Sequence, residues 1–437
     1  MRADGLRIAV VGGGVAGLGC AWLLSERHRV TLYEAAPALG GHCRTVEVAR
    51  PGGGVPVDMG FIVYNETTYP NLTALFDLLG VATQPSCMSL AISLQDGGFE
   101  YGGHDVGSLL AQKRNLLRPR FWSMLRHLRR LYCVAAGAQP GDEISLGDWL
   151  DGAGFPASFQ RDHLLPMAAA IWSCSADAVR AQPAAAFLRF CDNHGLLRLR
   201  DRPVWRTVAG GARAYVSRLR ACIDGEVLTG REVTRVTRDA DGVTLRDADG
   251  GTRRFDHVVL ATHGDTARAL LADADDDEHA VLGAFRTVPN RAVLHGDASL
   301  MPRRRAAWSS WNFVASRQDT NAVSVTYWMN RLQSIPGADI FVTLNPRREP
   351  APGLLHAECV FSHPLFDTAS LLAQKAIWHV QGRRRTWFCG AWLGAGFHED
   401  GLQAGLAVAE ALGGVRRPWR VAGESGRIHL PPALVPA

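Results

Sequence analysis

Lysine is scarce in this chain: among its 47 Lys and Arg residues, only Lys113 and Lys375 are lysines. The formal net charge is only +5 over 437 residues, which argues against general nucleic-acid binding but leaves room for a local basic patch. No stretch approaches eighteen consecutive apolar residues, so no transmembrane helix is predicted. The first residues lack the layout of a signal peptide. We therefore expect a cytoplasmic location, and peripheral contact with the inner face of the cytoplasmic membrane stays open.

The cysteines lack any C-x-x-C pair, and their number is odd. Such a pattern predicts reduced, mostly buried thiols rather than a disulfide framework or a zinc site. We predict no metal site. The nine cysteines are Cys20, Cys43, Cys87, Cys133, Cys174, Cys191, Cys222, Cys359 and Cys389.

Hydrophobic residues make up 47% of the chain and charged residues 20%, which are values typical of globular proteins. The length suggests two or three domains or one large interwoven unit. Periodicity predicts a β-α-β unit from residue 7, followed by a mostly helical region and then short strands and turns. The predicted segments are helices 70–80, 119–134, 157–172 and 179–194, short strands within 226–262 with a hairpin turn at 247–250, aromatic-rich strands within 285–361, a strand at 386–392, and a last helix at 401–414.

The glycine loop after the first predicted strand has the pattern G-x-G-x-x-G, formed by Gly12, Gly14 and Gly17. It opens a helix, and Glu34 ends the next strand twenty residues beyond Gly14. Glycines at these places allow a tight turn, close approach to a pyrophosphate and close helix–strand packing, while the helix N-terminus offers free N–H groups. Glu34 suits ribose hydroxyls and would repel a 2′-phosphate. The loop therefore predicts a dinucleotide site that disfavours NADP.

Three further stretches favour FAD over NAD. The Gly40–Gly41 pair lets the chain fold back over the pyrophosphate, and Arg44 adds a positive charge. The segment 57–61 (VDMGF) follows. A strand at 256–262 (DHVVLAT) then returns to the nucleotide domain after a long excursion.

With these motifs the chain resembles the flavin amine oxidase superfamily, which includes monoamine oxidases, protoporphyrinogen oxidases and phytoene desaturases. The wording GGHCRT, GFIVYN, WRTVAGGARAYV and GFHEDGL is similar to a bacterial branch of predicted NAD/FAD-binding proteins associated with cyclopropane, methyl-branched and furan fatty acid synthesis. The resemblance implies an α/β fold: a Rossmann-type FAD-binding domain interwoven with a mixed α+β substrate domain. The implied parts are FAD-binding at 1–67, 221–270 and 386–415, a largely helical, membrane-facing substrate part at 68–220, a substrate sheet at 271–385, and an irregular tail at 416–437.

The resemblance also implies which residues contact FAD. Val233 matches a position whose backbone meets adenine, although ordinary strand core is an equal alternative. The implied cofactor-binding residues are Gly12, Gly14, Val15, Ala16, Gly17, Glu34, Ala35, Gly40, Gly41, Arg44, Gly60, Phe61, Val233, Gly390, Asp400 and Leu402.

The stretch GAWLGAGFHEDGLQAG (390–405) is not a second nucleotide loop, because its glycine order differs and the helix after it runs into a Pro-rich tail. The resemblance implies that Gly401 and Leu402 open the last helix beneath the flavin ring. Asp400 would cap that helix or bind ribityl hydroxyls. His398 and Glu399 are the candidate catalytic bases, with Tyr64 and His42 as remoter options.

The substrate side offers two features. Residues 113–130 contain seven Lys and Arg and no acid, and residues 113–132 suit either contact with an anionic membrane or a packed helix with a solvated arginine face. Aromatic residues are expected to line an apolar cavity in front of the flavin. The candidates for that pocket are Tyr64, Trp172, Trp328 and Trp392.

Together these features predict an FAD-dependent dehydrogenase in which a hydride passes from an apolar substrate to flavin N5. The resemblance favours a branched or unsaturated fatty acyl chain, phospholipid-linked, and an association with a fatty acid methyltransferase. Neither lysine is an obvious match for an amine oxidase lysine. Amine oxidation, a phytoene-type desaturation and an FAD-binding partner protein without turnover remain the alternatives.

Overall fold

The computed structural model describes residues 5–135, 137–197, 202–316 and 324–434. Within these residues the chain forms twenty strands: β1 (Arg7–Val11), β2 (Arg29–Glu34), β3 (Thr45–Arg50), β4 (Gly53–Asp58), β5 (Tyr64–Asn65), β6 (Thr83–Pro85), β7 (Leu90–Leu94), β8 (Phe99–Gly102), β9 (Trp205–Val208), β10 (Gly225–Thr229), β11 (Val233–Arg238), β12 (Val243–Asp247), β13 (Thr252–Phe255), β14 (His257–Leu260), β15 (Arg286–His295), β16 (Trp311–Val314), β17 (Val325–Trp328), β18 (Phe341–Leu344), β19 (Leu355–Leu365) and β20 (Thr386–Phe388).

The same residues form fifteen α-helices: α1 (Val15–Ser25), α2 (Pro70–Leu79), α3 (Val106–Leu109), α4 (Pro119–Ala135), α5 (Leu146–Gly152), α6 (Ala157–Phe159), α7 (Leu165–Trp172), α8 (Ala176–Ala181), α9 (Ala184–Asn193), α10 (Arg213–Ala221), α11 (Gly264–Leu270), α12 (Asp276–Gly283), α13 (Met329–Leu332), α14 (Thr368–Ala376) and α15 (His398–Gly413). A π-helical stretch at 160–164 joins α6 to α7, so the predicted helix at 157–172 is continuous.

A parallel sheet holds the predicted β-α-β unit. Its strand order is β10-β2-β1-β14-β20. The central strand β1 is buried from Ile8 to Val11, as expected for a short apolar strand with both faces covered. β14 pairs with β1, and β20 pairs with β14, so strands from distant parts of the sequence complete one nucleotide-binding sheet.

A second sheet of seven strands has the order β19-β15-β18-β17-β16-β7-β8. Two of its strands, β7 and β8, come from the segment that the sequence pattern described as largely helical. Residues 90–102 (LAISLQDGGFEYG) form two short apolar strands around a turn in which Gln95 and Asp96 have positive φ. Strands of four or five residues give too few alternating positions for a period of two to be recognised. The neighbouring helical segments have a clear helical period, so the hydrophobic periodicity missed these strands.

Two predicted helix limits were wrong. The predicted helix 179–194 is divided into α8 and α9, because Pro183 has no N–H to continue the first helix and precedes the start of the second. The last helix starts at His398 rather than at Gly401. The predicted hairpin turn at 247–250 is present between β12 and β13, and Gly250 has φ +83° there.

The first helix, α1, packs directly on the last helix, α15. A side chain at Gly405 of α15 would overlap the carbonyl oxygen of Ala16, and one at Gly17 would overlap that of Gly12. Both contacts therefore need glycine. The contact at Gly405 brings the N-terminal turns of α1 and α15 to the same end of the parallel sheet.

Among the described residues no helix is both long and apolar enough to span a bilayer. The same part of the chain holds no group of three or more His, Cys, Asp or Glu side chains arranged to bind a metal ion.

Candidate active site

The loop between β1 and α1 faces open space. A Cβ added to Gly14 would meet no atom within 4 Å, and one added to Gly41 would lie 3.2 Å from the Cα of Gly14. The Glu34 carboxylate accepts hydrogen bonds from the N–H of Gly13 at 2.6 Å and of Ala36 at 2.7 Å. Ala35 lies between Glu34 and Ala36, so the acid and both glycine loops border one cleft at the N-terminus of α1.

The C-terminal glycine stretch forms a second border of this cleft. A Cβ on Gly401 would lie 3.0 Å from Val15 and 3.5 Å from the N of Ala391, next to Gly390. Leu402 is fully buried, and its Cδ1 would lie 2.8 Å from a Cβ on Gly19. The positive ends of two helices, α1 and α15, thus lie beside each other, which suits an anionic ligand.

Gly40 lies on the third side of the cleft, and Arg44 follows it four residues later. Gly40 donates a hydrogen bond to the carbonyl of Gly13 at 2.8 Å, which holds the second glycine loop against the first. Arg44 is exposed, and no acidic side chain of the described residues pairs with it. The guanidinium is therefore available to a phosphate.

Asp400 organises the turn before α15. Its Oδ2 accepts hydrogen bonds from the N–H of Phe397 at 2.7 Å and of Ala395 at 3.1 Å, and its Oδ1 lies 2.6 Å from Nε of Arg427. The capping role predicted for Asp400 agrees with these bonds. In this structure Asp400 shapes the loop that carries Gly390 to Gly396 rather than facing a substrate.

The geometry argues against base catalysis by Glu399, which was one of the two predicted catalytic residues. Both carboxylate oxygens accept hydrogen bonds from α2: Oε1 from Asn71 N and Nδ2, and Oε2 from Leu72 N at 3.0 Å. Gln403 adds a bond of 2.9 Å to Oε1. Burial raises the pKa of Glu399, and these hydrogen bonds oppose that rise. A carboxylate so occupied caps the N-terminus of α2 and is not available to a substrate.

His398 lies in an aromatic pair rather than beside an acid. Its ring stacks on Phe61 with centroids 3.9 Å apart, and its Nε2 contacts the hydroxyl of Tyr215 and the thiol of Cys43. Burial lowers the pKa of His398 to about 3, so the ring is neutral at physiological pH. Gly60, next to Phe61, packs against the carbonyl of His42, and a Cβ at this position would overlap that oxygen.

Sequence reasoning missed a cluster of three histidines at the junction between the cleft and the seven-stranded sheet. The ring of His42 lies 5.4 Å from that of His363 on β19 and 6.2 Å from that of His263, and it stacks on Phe361 at 4.9 Å. Burial and the neighbouring imidazoles lower the pKa of His42 to about 3, and burial lowers that of His363 to about 4. All three rings come from separate segments, so only the fold brings them together.

An apolar cavity of about 100 Å³ opens next to the turn before α15. Its walls include Trp172, Phe187 and Phe190, and it reaches Ala395 and Asp400. A polar cleft of about 590 Å³ adjoins it and shares Arg427. The smaller cavity is the better candidate for an apolar substrate, because its walls are aromatic and it ends at the α15 turn.

Three of the four predicted pocket aromatics do not line this cavity. Trp392 is buried against Phe285 at 4.2 Å and donates to the carbonyl of Thr262, so it does not line this cavity. Trp328 packs on Trp308 at 5.5 Å in a separate small cluster. Tyr64 is buried in the core of the nucleotide-binding half. Trp172 is the one of the four that lines this cavity.

The sequence from 15 to 293 matches the family profile described as flavin containing amine oxidoreductase. That match covers more than half of the chain. The chain belongs to this family.

Solved structures share the fold over nearly the whole length. A CLA-producing fatty acid isomerase from P. acnes is 18% identical, covers 93% of this chain and 98% of its own, and gives a TM-score of 0.66. A putative protoporphyrinogen oxidase from Exiguobacterium is 16% identical, with coverage of 94% and 99% and a TM-score of 0.69. Cyclohexylamine oxidase from Brevibacterium oxydans is 16% identical, with coverage of 94% and 100% and a TM-score of 0.66. At these identities the likeness shows the fold alone.

One curated relative matches a short stretch. The carotenoid phi-ring synthase of Streptomyces griseus is 62% identical over 39 residues, which are 9% of this chain and 8% of that protein. The match thus leaves most of both proteins outside it.

Family membership makes this flavoenzyme an FAD-dependent oxidoreductase with the mixed α/β fold of its relatives. The cleft fits FAD: open space before Gly14, two helix N-termini, an acid at Glu34 and the unpaired Arg44 match a dinucleotide with ribose hydroxyls and a pyrophosphate. Gly12, Ala16 and Gly17 belong to the same turn. Val233 is buried at the start of β11, beside a bulge, so the predicted adenine contact would be through its backbone.

Replacing Gly14 by alanine is expected to weaken FAD binding about tenfold or more while leaving the flavoenzyme folded. Gly14 has φ −75° and ψ −179°, which alanine adopts, and its Cβ would meet no protein atom. The methyl group would instead occupy the space that a pyrophosphate needs. Fluorescence titration of the apoprotein with FAD measures the loss. Gly152→Ala is the control, because its Cβ also meets nothing within 4 Å. Equal affinities for the two variants would show that no phosphate approaches Gly14.

Asp58 connects three separate segments of the chain around the site. The sequence pattern included it only as part of the 57–61 segment and gave it no role of its own. The carboxylate accepts hydrogen bonds from Thr45 Oγ1 at 2.5 Å, from Ala212 N at 2.9 Å and from Gln333 Nε2 at 3.0 Å. These partners lie on β3, before α10 and after α13. Burial raises the pKa of Asp58 to about 6, although the hydrogen bonds of Thr45 and Ala212 oppose it.

The raised pKa of Asp58 predicts a pH-dependent stability. The folded chain holds the proton more tightly than the unfolded chain, whose value is near 3.8, so stability falls as the pH rises from about 4 to about 6. The change is on the order of 3 kcal/mol. Urea unfolding of the wild type and of Asp58→Asn at several pH values isolates this contribution, because the variant lacks it. Parallel stability profiles across that range would contradict the assignment.

Proposed function

We propose that this flavoenzyme dehydrogenates a fatty acyl chain, branched or unsaturated and carried on a phospholipid. The observation that supports it is the cavity beside the turn before α15, whose walls include the aromatic rings of Trp172, Phe187 and Phe190. A fatty acid isomerase shares the same fold, which shows that this architecture accommodates acyl chains in another protein. When bound, FAD supplies the acceptor for the hydride at its N5 atom.

We take His42 as the candidate proton acceptor, because its ring lies between the other two rings of the histidine cluster. The backbone of Ser362 hydrogen-bonds to one nitrogen of its ring, so the neutral ring carries its lone pair on the other nitrogen. The low pKa keeps that nitrogen unprotonated at neutral pH, so the ring is in the form that accepts a proton once hydride loss has made the substrate proton acidic.

His363 fits the role of a donor rather than a base. Asn290 Nδ2 lies 2.9 Å from Nδ1 of His363, and the Asn290 oxygen is fixed by Asn345 at 2.6 Å. Nδ1 therefore accepts, and the proton of the neutral ring sits on Nε2.

The mouth of the apolar cavity carries a positive group. Arg189 is exposed there, and no acid of the described residues pairs with it, whereas Asp367 at the same mouth is paired with Arg286 at 2.5 Å. A guanidinium at this place suits the phosphate or carboxylate that ends an acyl lipid.

The test is anaerobic incubation of the holoenzyme with methyl-branched and unsaturated phospholipids and with the matching free fatty acids. We expect the flavin absorbance to bleach and the product to be lighter by about two mass units, the loss of two hydrogens. Arg189→Ala should raise KM more than it lowers kcat. Absence of bleaching by every acyl lipid would remove this proposal.

Amine oxidation is the second candidate, because several structures with this fold are amine oxidases. The two lysines give it no support: Lys375 is exposed and pairs with Asp142, and Lys113 is exposed in the basic segment. Peroxide release with an amine panel would favour it. An isoprenoid substrate is supported only by the 39-residue match to a carotenoid enzyme. Association with a fatty acid methyltransferase stays a prediction.

A further inference from the structure

The segment before α4 and the first turns of α4 present apolar side chains to solvent. Leu117 is 87% exposed, Trp122 52% and Leu116 40%. The Trp122 Nε1 donates to the carbonyl of Leu116 at 2.9 Å, which holds the indole across the end of this segment. Single exposed apolar side chains are common on protein surfaces, whereas several large ones exposed side by side are typical of an interaction site.

Cations surround these apolar groups. Arg126 and Arg129 follow Trp122 at four and seven residues, which places them on the same face of α4. Both are exposed, as is Lys113, and no described acid pairs with any of the three. The 113–129 surface therefore consists of Lys113, Arg114, Leu116, Leu117, Trp122, Arg126 and Arg129.

The acids of the neighbouring elements are already engaged. Asp162 is buried and pairs with Arg120 at 2.5 Å, and Glu100 is buried and pairs with Arg304 at 2.6 Å. The remaining positive charges thus face solvent without compensation. The other face of α4 is core, since Phe121 is fully buried with Met124 and Leu131.

We propose that the 113–129 surface docks the flavoenzyme on an anionic phospholipid membrane. Exposed Trp and Leu among unpaired Lys and Arg match the interface, where aromatic and apolar groups enter the acyl boundary and cations meet headgroup phosphates. α4 and α9 bury side chains in one core, and Phe187 and Phe190 of α9 line the apolar cavity. The proposed acyl-lipid function gives a reason for the docking. The docking surface itself does not depend on whether the enzyme turns over a lipid.

The test is flotation of the holoenzyme with vesicles that contain only saturated chains, so that catalysis does not enter the readout. We expect binding to phosphatidylglycerol-containing vesicles, little binding to pure phosphatidylcholine, and release by high salt. Arg126→Glu combined with Arg129→Glu should weaken binding about tenfold or more. Leu117→Ser combined with Trp122→Ser should weaken it to a similar extent.

Two matched controls separate the surface from general charge and hydrophobicity. Arg235→Glu combined with Arg246→Glu removes the same charge from two exposed, register-paired arginines of β11 and β12. Leu372→Ser changes a leucine that is 57% exposed on α14. Both controls should bind vesicles as the wild type does.

Three results would overturn the proposal. They are absence of binding to anionic vesicles by the folded, FAD-loaded protein, equal binding to neutral vesicles, and full displacement by soluble glycerol phosphate with no effect of the Leu117 and Trp122 changes. The last result would indicate an anion site instead of a membrane face. Dehydrogenation of detergent-dispersed lipid is measured separately, so failure of docking and failure of the proposed function are distinguishable.

Discussion

Replacing His42 by glutamine is expected to slow flavin reduction by substrate about 100-fold or more, while FAD stays bound. Glutamine can keep a hydrogen bond to the backbone of Ser362 but offers no basic nitrogen. The FAD cleft is unaffected, because its borders are backbone and the side chains of Glu34 and Arg44. Stopped-flow measurement of flavin bleaching gives the rate, and the flavin spectrum after gel filtration gives the occupancy.

The pH profile provides a second readout for the same residue. A histidine with an ordinary pKa near 6.5 would lose its basic form as the pH falls through that value. The pKa of His42 is lowered to about 3, so the basic form persists and the wild-type rate should not fall between about pH 8 and pH 5 on account of this group. A merely structural His42 would leave the reduction rate of the His42→Gln variant near normal.

His104→Gln is a suitable control, because the side chain of His104 is 40% exposed and lies outside the histidine cluster. His363→Gln should have a smaller effect than His42→Gln, since the unprotonated nitrogen of His363 already accepts a hydrogen bond from Asn290. An equal loss for both variants would indicate that the cluster acts only as packing. A full rate for His42→Gln would assign the proton to another acceptor, with His398 the next to change.

The second large effect concerns stability: Asp400→Ala is expected to cost about 3–5 kcal/mol. Asp400 is fully buried, and the Arg427 side chain is 13% exposed. Removal of the carboxylate leaves a buried guanidinium without its counter-charge and frees the N–H groups of Phe397 and Ala395. The turn that carries the C-terminal glycines to FAD should loosen at the same time.

A double-mutant cycle tests this assignment. Arg427→Met removes the cation, although it also loses the bond to Thr68 O at 2.8 Å and the contact over the Tyr69 ring. The double variant should be less destabilised than the sum of the single variants, because no buried charge remains unpaired. Urea unfolding at a fixed excess of FAD gives the free energies.

The exposed pair Arg254–Asp239 provides the comparison. These side chains are 42% and 55% exposed, so Asp239→Ala should destabilise the fold much less than Asp400→Ala, even though Asp239 also accepts hydrogen bonds from the N–H groups of Asp241 and Gly242. If Asp400→Ala costs no more than Asp239→Ala, the buried pair does not hold the turn.

The sequence predicted the nucleotide-binding half well, because its signals are local. Gly12, Gly14, Gly17 and Glu34 lie within one strand–turn–helix–strand unit, and each glycine has a steric reason that a sequence pattern can display. The family and FAD followed from these residues and from the C-terminal glycine stretch.

The candidate site was predicted less well, because it is assembled over long sequence distances. The bond partner of Glu399 is Asn71, 328 residues away, and nothing near Glu399 in sequence shows that its oxygens are occupied. His42, His263 and His363 likewise meet only through pairing of β19 with β15 and of β14 with β1. Trp392 follows a glycine in a cofactor motif, but its ring turns into the core toward Phe285.

The contribution of β20 and α15 to the N-terminal nucleotide fold has a consequence for biosynthesis. A chain emerging from the ribosome has β1, α1 and β2 early, but it lacks the edge strand and the second helix N-terminus until residues 386–413 have been made. The N-terminus of α2 also lacks its capping carboxylate until Glu399 has been synthesised. Such long-range closure slows folding, and it confines FAD loading to a chain that already includes residues 386–413. FAD should therefore bind late in folding and stabilise its last step.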